Sequence, residues 1–170
     1  DMTDPTVSCP ADVTLECPAD TSVGANGSGS GSDNCAAGGS ISYSDMAMAD
    51  CGNTETIERT WTSTDECGNS TSCGQVITVV DTTAPSINCP ADAILECPAD
   101  TSVAANGTAT GSDSCSAVSI SSIDSSVSGC GTTEMITRTW TSTDECGNST
   151  SCDQVIAVVD TTAPSIEGPA

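Results

Sequence analysis

Residues 59–73 read RTWTSTDECGNSTSC, and residues 138–152 repeat them without change. Around this stretch Ile57, Arg59, Trp61 and Ser63 alternate with Glu58, Thr60, Thr62 and Thr64. Successive side chains of a strand point to opposite faces, so the pattern specifies a strand with one distinctive face. Asp65-Glu66-Cys67-Gly68-Asn69-Ser70 supplies turn formers, and Gln75-Val76-Ile77-Thr78-Val79-Val80 reads as a second strand. Shorter strands are expected at 13–16, 27–31 and 41–44, each with a counterpart in the second half. No segment holds a helical period of 3.6. Short strands separated by polar turns predict an all-β fold, with two tandem immunoglobulin-like β-sandwich modules.

The cysteines keep the register of the repeat. Cys9, Cys17 and Cys35 recur 80 positions on as Cys89, Cys97 and Cys115. Cys51, Cys67 and Cys73 recur 79 positions on as Cys130, Cys146 and Cys152, which places a one-residue difference between Cys35 and Cys51. A period this long is that of a domain. It divides the chain into module 1 at 1–80, module 2 at 81–159, and a segment 160–170 that begins a third module or forms a docking strand. Asp1, Asp81 and Asp160 head equivalent segments, so the chain is expected to be a piece of a longer array. With no signal-peptide pattern at its start, it is expected to be a mature or internal segment. Domains of about 80 residues bury a limited core and often need covalent staples. Twelve cysteines, evenly split, point to disulfides and an oxidising compartment. Without histidine or any C-x-x-C pair, the usual zinc spacings are missing.

The formal charge is −22, with Arg59 and Arg138 as the two cations against 24 acids. No basic patch exists to release counterions, so nucleic acid is excluded as a partner. No apolar run approaches the ~18 residues of a membrane span, so membrane insertion is not expected. With no histidine, no lysine and no nucleophile–base set, an enzyme is not expected either.

The CP dipeptides near the start of each module, SD before the third cysteine, TWTSTDECGN and TSCGQVITVVDTTAP resemble the hyalin repeat. Variants with extra cysteines resemble tandem repeats of large bacterial surface adhesins of the Bacteroidota type. The resemblance covers nearly all of both modules and implies an immunoglobulin-like sandwich in an extracellular or cell-surface adhesive protein. Arg59 and Arg138 depart from it, since the family carries an aliphatic there. It also implies a bridge between Cys9 and Cys73, and so between Cys89 and Cys152. Loop placement in such a sandwich suggests Cys17–Cys51 and Cys35–Cys67, with Cys97–Cys130 and Cys115–Cys146 in module 2. A hairpin bridge Cys67–Cys73 is the rival.

The acids suggest a hard cation. Asp81, Asp113, Asp144 and Asn148 form one expected calcium set, and Asp1, Asp33, Asp65 and Asn69 its counterpart. Calcium takes about six to eight oxygen ligands. The competing reading is a solvated loop in which Asp and Asn do turn work. Trp61 and Trp140 are expected in the core, with Arg59 and Arg138 in a cation–π contact or paired with Glu55 and Glu134. Four N-x-S/T sequons begin at Asn26, Asn69, Asn106 and Asn148, and Asp-Thr-Thr at 81 and 160 resembles an O-glycan acceptor. The tail around Pro164, Ser165 and Ile166 is a candidate for adding to a sheet edge of another subunit. The function expected is a structural module of an extracellular filament or adhesin stalk built from rigid repeats. Its partners would be copies of itself or further repeats of the array. The alternative is a calcium-dependent adhesion module that binds glycan or protein. Any ligand is sought in 36–50 and 116–129, where the copies differ most.

Overall fold

The computed structural model describes residues 2–35 and 39–168. The alternating segment forms β5 (Glu55–Thr64), which turns at 65–69 and pairs antiparallel with β6 (Ser70–Val80). Trp61 stands opposite Cys73, and Ile57 opposite Ile77. β4 (Ser40–Ala49) pairs antiparallel with the other edge of β5, and β2 (Val13–Glu16) runs parallel to β6. The order is β2-β6-β5-β4. β1 (Thr6–Ser8) and β3 (Ser30–Ser32) form a second, two-stranded sheet packed over β5 and β6.

The second half repeats the plan. β7 (Ser86–Asn88) pairs with β9 (Thr110–Ser112). β8 (Ala93–Glu96), β10 (Val118–Ser128), β11 (Glu134–Asp144) and β12 (Ser149–Val159) form a sheet of order β10-β11-β12-β8. The chain is therefore all-β, with an immunoglobulin-like sandwich in each repeat. Ser40 pairs with Thr64 and Ser119 with Thr143, both offset by 79. The one-residue difference thus lies between Cys35 and Ser40.

Each core is the inward face of the hairpin. Ile57, Trp61, Ile77 and Val79 are buried in the first, and Ile136, Trp140, Ile156 and Val158 in the second. Two single helical turns, α1 (Val23–Asn26) and α2 (Val103–Asn106), shorten the strand expected at 27–31 to Ser30–Ser32 and its counterpart to Thr110–Ser112. Local hydrogen bonds outweigh periodicity here. The Asn26 side-chain amide donates to the Asp20 and Ser22 carbonyls, and Gly27 leaves the turn at φ 90°. The strand expected at 41–44 extends to Ala49, because β5 supplies a paired edge over its whole length.

Two compact units result: Asp1–Thr83 with Ser114–Ser116, and Ala84–Asp113 with Ala117–Ala170. The short segment around Cys115 belongs to the second repeat by sequence and to the first unit by packing. Among the described residues no helix is long and apolar enough to cross a membrane.

Candidate functional site

The cysteines separate into two chemical states. Cys9 is bonded to Cys73 and Cys89 to Cys152, with Cα atoms 6.0 and 6.1 Å apart. Both bridges tie the end of a short first strand (β1, β7) to the last strand of its module (β6, β12). Cys73 is consumed by this bond, which rules out the rival Cys67–Cys73 link. Cys17 is bonded to Cys115, Cα atoms 5.6 Å apart, which displaces the expected Cys17–Cys51 and Cys115–Cys146 pairs. The physical reason is burial. Cys17 and Cys115 are 7% and 1% exposed and form an apolar cluster with Val79 and Ala19. Asn53 N–H donates to the Cys115 carbonyl at 3.1 Å. Cys51 and Cys146 are also disulfide-bonded. Cys35, Cys67, Cys97 and Cys130 are free thiols, so the expected Cys35–Cys67 and Cys97–Cys130 bridges are not formed. Cys97 Sγ instead lies 2.7 Å from Thr132 Oγ1.

The acidic loops close on themselves. Asp65 Oδ1 accepts from the N–H groups of Cys67 and Asn69, at 2.9 and 2.8 Å. Its Oδ2 accepts from Asn69 Nδ2 at 2.7 Å. Asp144 repeats this with Cys146 and Asn148. The Asn69 side-chain amide, then the backbone amides, hold the Asp65 carboxyl below its ordinary pKa. At Asp144 burial opposes the shift most strongly, and the Asn148, Cys146 and Gly147 amides together outweigh it. Each loop is a turn in which Asp and Asn satisfy one another. Asp113 and Asp144 nevertheless bring carboxylate oxygens within 4.8 Å of each other. Asp81 is buried and accepts from Thr83 N–H. Asp33 accepts from Cys35 N–H. Asp1 lies outside the described residues.

Glu16 has a role that reading the sequence missed. Its carboxylate accepts from Thr82 N–H, Thr82 Oγ1 and Thr83 Oγ1, and Glu96 does the same with Thr161 and Thr162. The signal was the joint recurrence of Glu-Cys-Pro and Asp-Thr-Thr. The repeated Thr-Thr is thus a clamp on the strand exit. The sequon asparagines are similarly occupied. Asn106 holds the Asp100 and Ser102 carbonyls as Asn26 holds theirs, while Asn69 and Asn148 hold their loop aspartates.

Arg59 is 3% exposed and forms a bidentate pair with Asp45, at 2.8 and 2.9 Å, with a further bond to the Thr21 carbonyl. Arg138 pairs likewise with Asp124. The partners are therefore Asp45 and Asp124, not Glu55 and Glu134. Strand register decides this: Asp45 stands opposite Arg59, whereas Glu55 lies four residues along the same strand. The Arg59 guanidinium also sits 5.0 Å from the Tyr43 ring centroid. Trp61 donates to Gln75 Oε1 at 3.4 Å, and Gln75 Nε2 donates to the Ala11 and Asn26 carbonyls. These polar groups tie the core strands to the segments around Ala11, Thr21 and Asn26.

Outward, the edge strands β4 and β10 carry exposed Met46, Met48, Ile123 and Val127, while Tyr43 lies on the inner face against Trp61. Pro164, Ser165 and Ile166 are exposed and outside any strand.

No family model matches the chain, and no curated protein matches it. Among solved structures it is similar to a protocadherin gammaB7 EC3-6 cis-dimer structure, at 13% identity and a TM-score of 0.37. It is also similar to protocadherin gamma B7 extracellular cadherin domains 1-4, at 13% and 0.35. Each match covers 92% of this chain and 51% of the other, so the chain spans about half their length.

Proposed function

We propose that this chain is a structural module of an extracellular filament or surface adhesin stalk, an array of rigid repeats whose partners are further copies of the same unit. The observation that carries this reading is the fate of the polar groups. The Arg–Asp pairs, the buried glutamines, the loop Asp–Asn pairs and the linker Glu–Thr sets recur in both repeats, where they hold the sandwich and its exit strand in place. A repeat stamped twice with its polar groups turned inward suits building rather than turnover. The disulfides support a location in an oxidising compartment outside the cytoplasm. The hyalin-repeat and bacterial-adhesin resemblance agrees with that placement. Electron microscopy of native extracellular material tests it. Filaments with an axial repeat of one or two sandwich lengths are expected; dispersed globular particles would oppose it.

A second reading has its own support. The approach of Asp113 to Asp144 favours a calcium ion held by Asp113, Asp144 and Asn148. The exposed apolar residues of β4 and β10, where the copies differ most, favour a protein or glycan ligand. A calcium-dependent adhesion module would combine the two.

A further inference from the structure

The two repeats differ in oxidation state at four of six equivalent cysteine positions, and the differences are complementary. Cys17 and Cys51 are bonded, but their counterparts Cys97 and Cys130 are free. Cys115 and Cys146 are bonded, but their counterparts Cys35 and Cys67 are free. Only the bridges Cys9–Cys73 and Cys89–Cys152 close the same way in both repeats.

We infer that the four free thiols are the two ends of a head-to-tail disulfide junction between copies of this chain. Cys97 of one copy bonds Cys35 of the next, and Cys130 bonds Cys67. The inference rests on the array reading above. Its template is the Cys17–Cys115 bond. Cys17 and Cys97 are equivalent, as are Cys35 and Cys115, so moving that bond along by one repeat joins Cys97 to the Cys35 of a following copy. The surface that receives the partner is already built. Ser114–Ser116 packs on a patch containing Cys17, Ala19, Gly52 and Asn53. The equivalent patch in the second unit is Cys97, Ala99, Gly131 and Thr132. Backbone placement is the same at both, since Cys17 N–H donates to the Val80 carbonyl and Cys97 N–H to that of Val159. Burial records the missing partner. Cys115 is 1% exposed, whereas its counterpart Cys35 is exposed. Cys67 and Cys130 are exposed as well.

The chemistry is thiol–disulfide exchange with a small-molecule disulfide as oxidant. One thiolate attacks the oxidant, forming a mixed disulfide and releasing one thiol. The partner thiolate then attacks the mixed disulfide and releases the second. Each junction bond thus loses two protons and two electrons to the oxidant, which leaves as two thiols.

The test uses the 170-residue chain incubated with glutathione disulfide and resolved on non-reducing gels. Wild type should give a ladder in steps of 16.8 kDa that dithiothreitol collapses. C35S/C67S and C97S/C130S chains should each stay monomeric and, when mixed, form dimers only. Mixing isotopically light and heavy chains, then mapping by mass spectrometry, should recover Cys97–Cys35 peptides spanning two chains. Wild type that remains monomeric would overturn the inference. So would Cys35–Cys67 or Cys97–Cys130 links within one chain, or double variants that ladder like wild type. Native filaments lacking these crosslinks would remove the junction and leave the structural function standing, whereas dispersed native material would remove both.

Discussion

Gly29 and Gly31 sit two residues apart over the same hairpin, and the repeat treats them differently. A methyl on Gly29 would meet the Trp61 ring at 2.8 Å, yet the second module carries Ala109, itself buried, at the equivalent position. The same fold thus holds a methyl at this position. G29A should therefore cost under about 1 kcal/mol, in line with tolerated core repacking. A methyl on Gly31 would press on Ser63 Oγ and on the Thr6 carbonyl, and Gly111 meets the same two kinds of neighbour. A backbone carbonyl in a paired strand cannot turn aside, so G31A should lose about 1–3 kcal/mol. Denaturant titration of the two variants checks the contrast. Gln75 is a second sensitive position: replacing it with Leu would strand Trp61 Nε1 and the Ala11 and Asn26 carbonyls. Each unsatisfied buried group costs about 1–3 kcal/mol, so Q75L should be the most damaging of the three. At Asp45 the Arg59 hydrogen bonds hold the carboxyl below its ordinary 3.8, against burial. A depressed folded-state pKa adds stability that is complete above the ordinary value and lost as pH falls through the folded one. The Tm gap between wild type and D45N should thus be constant above about pH 5 and shrink as pH falls below 3.8. A gap unchanged at pH 3 would mean that the pair contributes nothing.

The hairpin β5–β6 was legible because a period of two survives in one window: Ile57, Arg59, Trp61 and Ser63 all turn inward. Arg59 broke the apolar pattern without breaking the strand, because its charge is met by a carboxylate across the ladder. That partner was not legible. Asp45 lies in a polar strand with no signal of its own, and only the β4–β5 register sets it opposite Arg59. The helical turns α1 and α2 were missed for a related reason, since four residues are too few to show a period. The disulfides divide in the same way. Cys9–Cys73 joins strands that touch within one sandwich. Cys17–Cys115 depends on how a loop of the second repeat packs, which local sequence cannot report when the two repeats are nearly identical. Removing Cys9–Cys73 by C9S/C73S opens a loop of 64 residues, and chain entropy puts the loss at about 4 kcal/mol. Denaturant midpoints of the variant and wild type measure it. A loss well under 1 kcal/mol would mean that the small core suffices without this staple.

For the molecule as a whole, a charge of −22 in 170 residues favours expansion, and the buried pairs of Arg59 and Arg138 offset little of it. Added salt should therefore raise Tm. The gain should flatten as the screening length shortens from about 10 Å at 0.1 M to about 3 Å at 1 M. This general effect is the background against which a bound ion must be judged. Magnesium demands tight octahedral geometry and keeps its waters, whereas calcium accepts six to eight oxygens in flexible arrangements. Two acidic loops that screen charge without holding an ion should respond equally to both cations at matched ionic strength. A site built on Asp113 and Asp144 should respond to calcium beyond magnesium, and D113N should abolish that excess while keeping the salt response. D113N leaves in place the bonds from the Cys146 and Asn148 amides to Asp144, whose own loss would unlatch the turn. Equal calcium and magnesium curves for wild type would assign the acidic loops to turn formation and solubility alone. A calcium excess that survives D113N would move the ion elsewhere on the molecule.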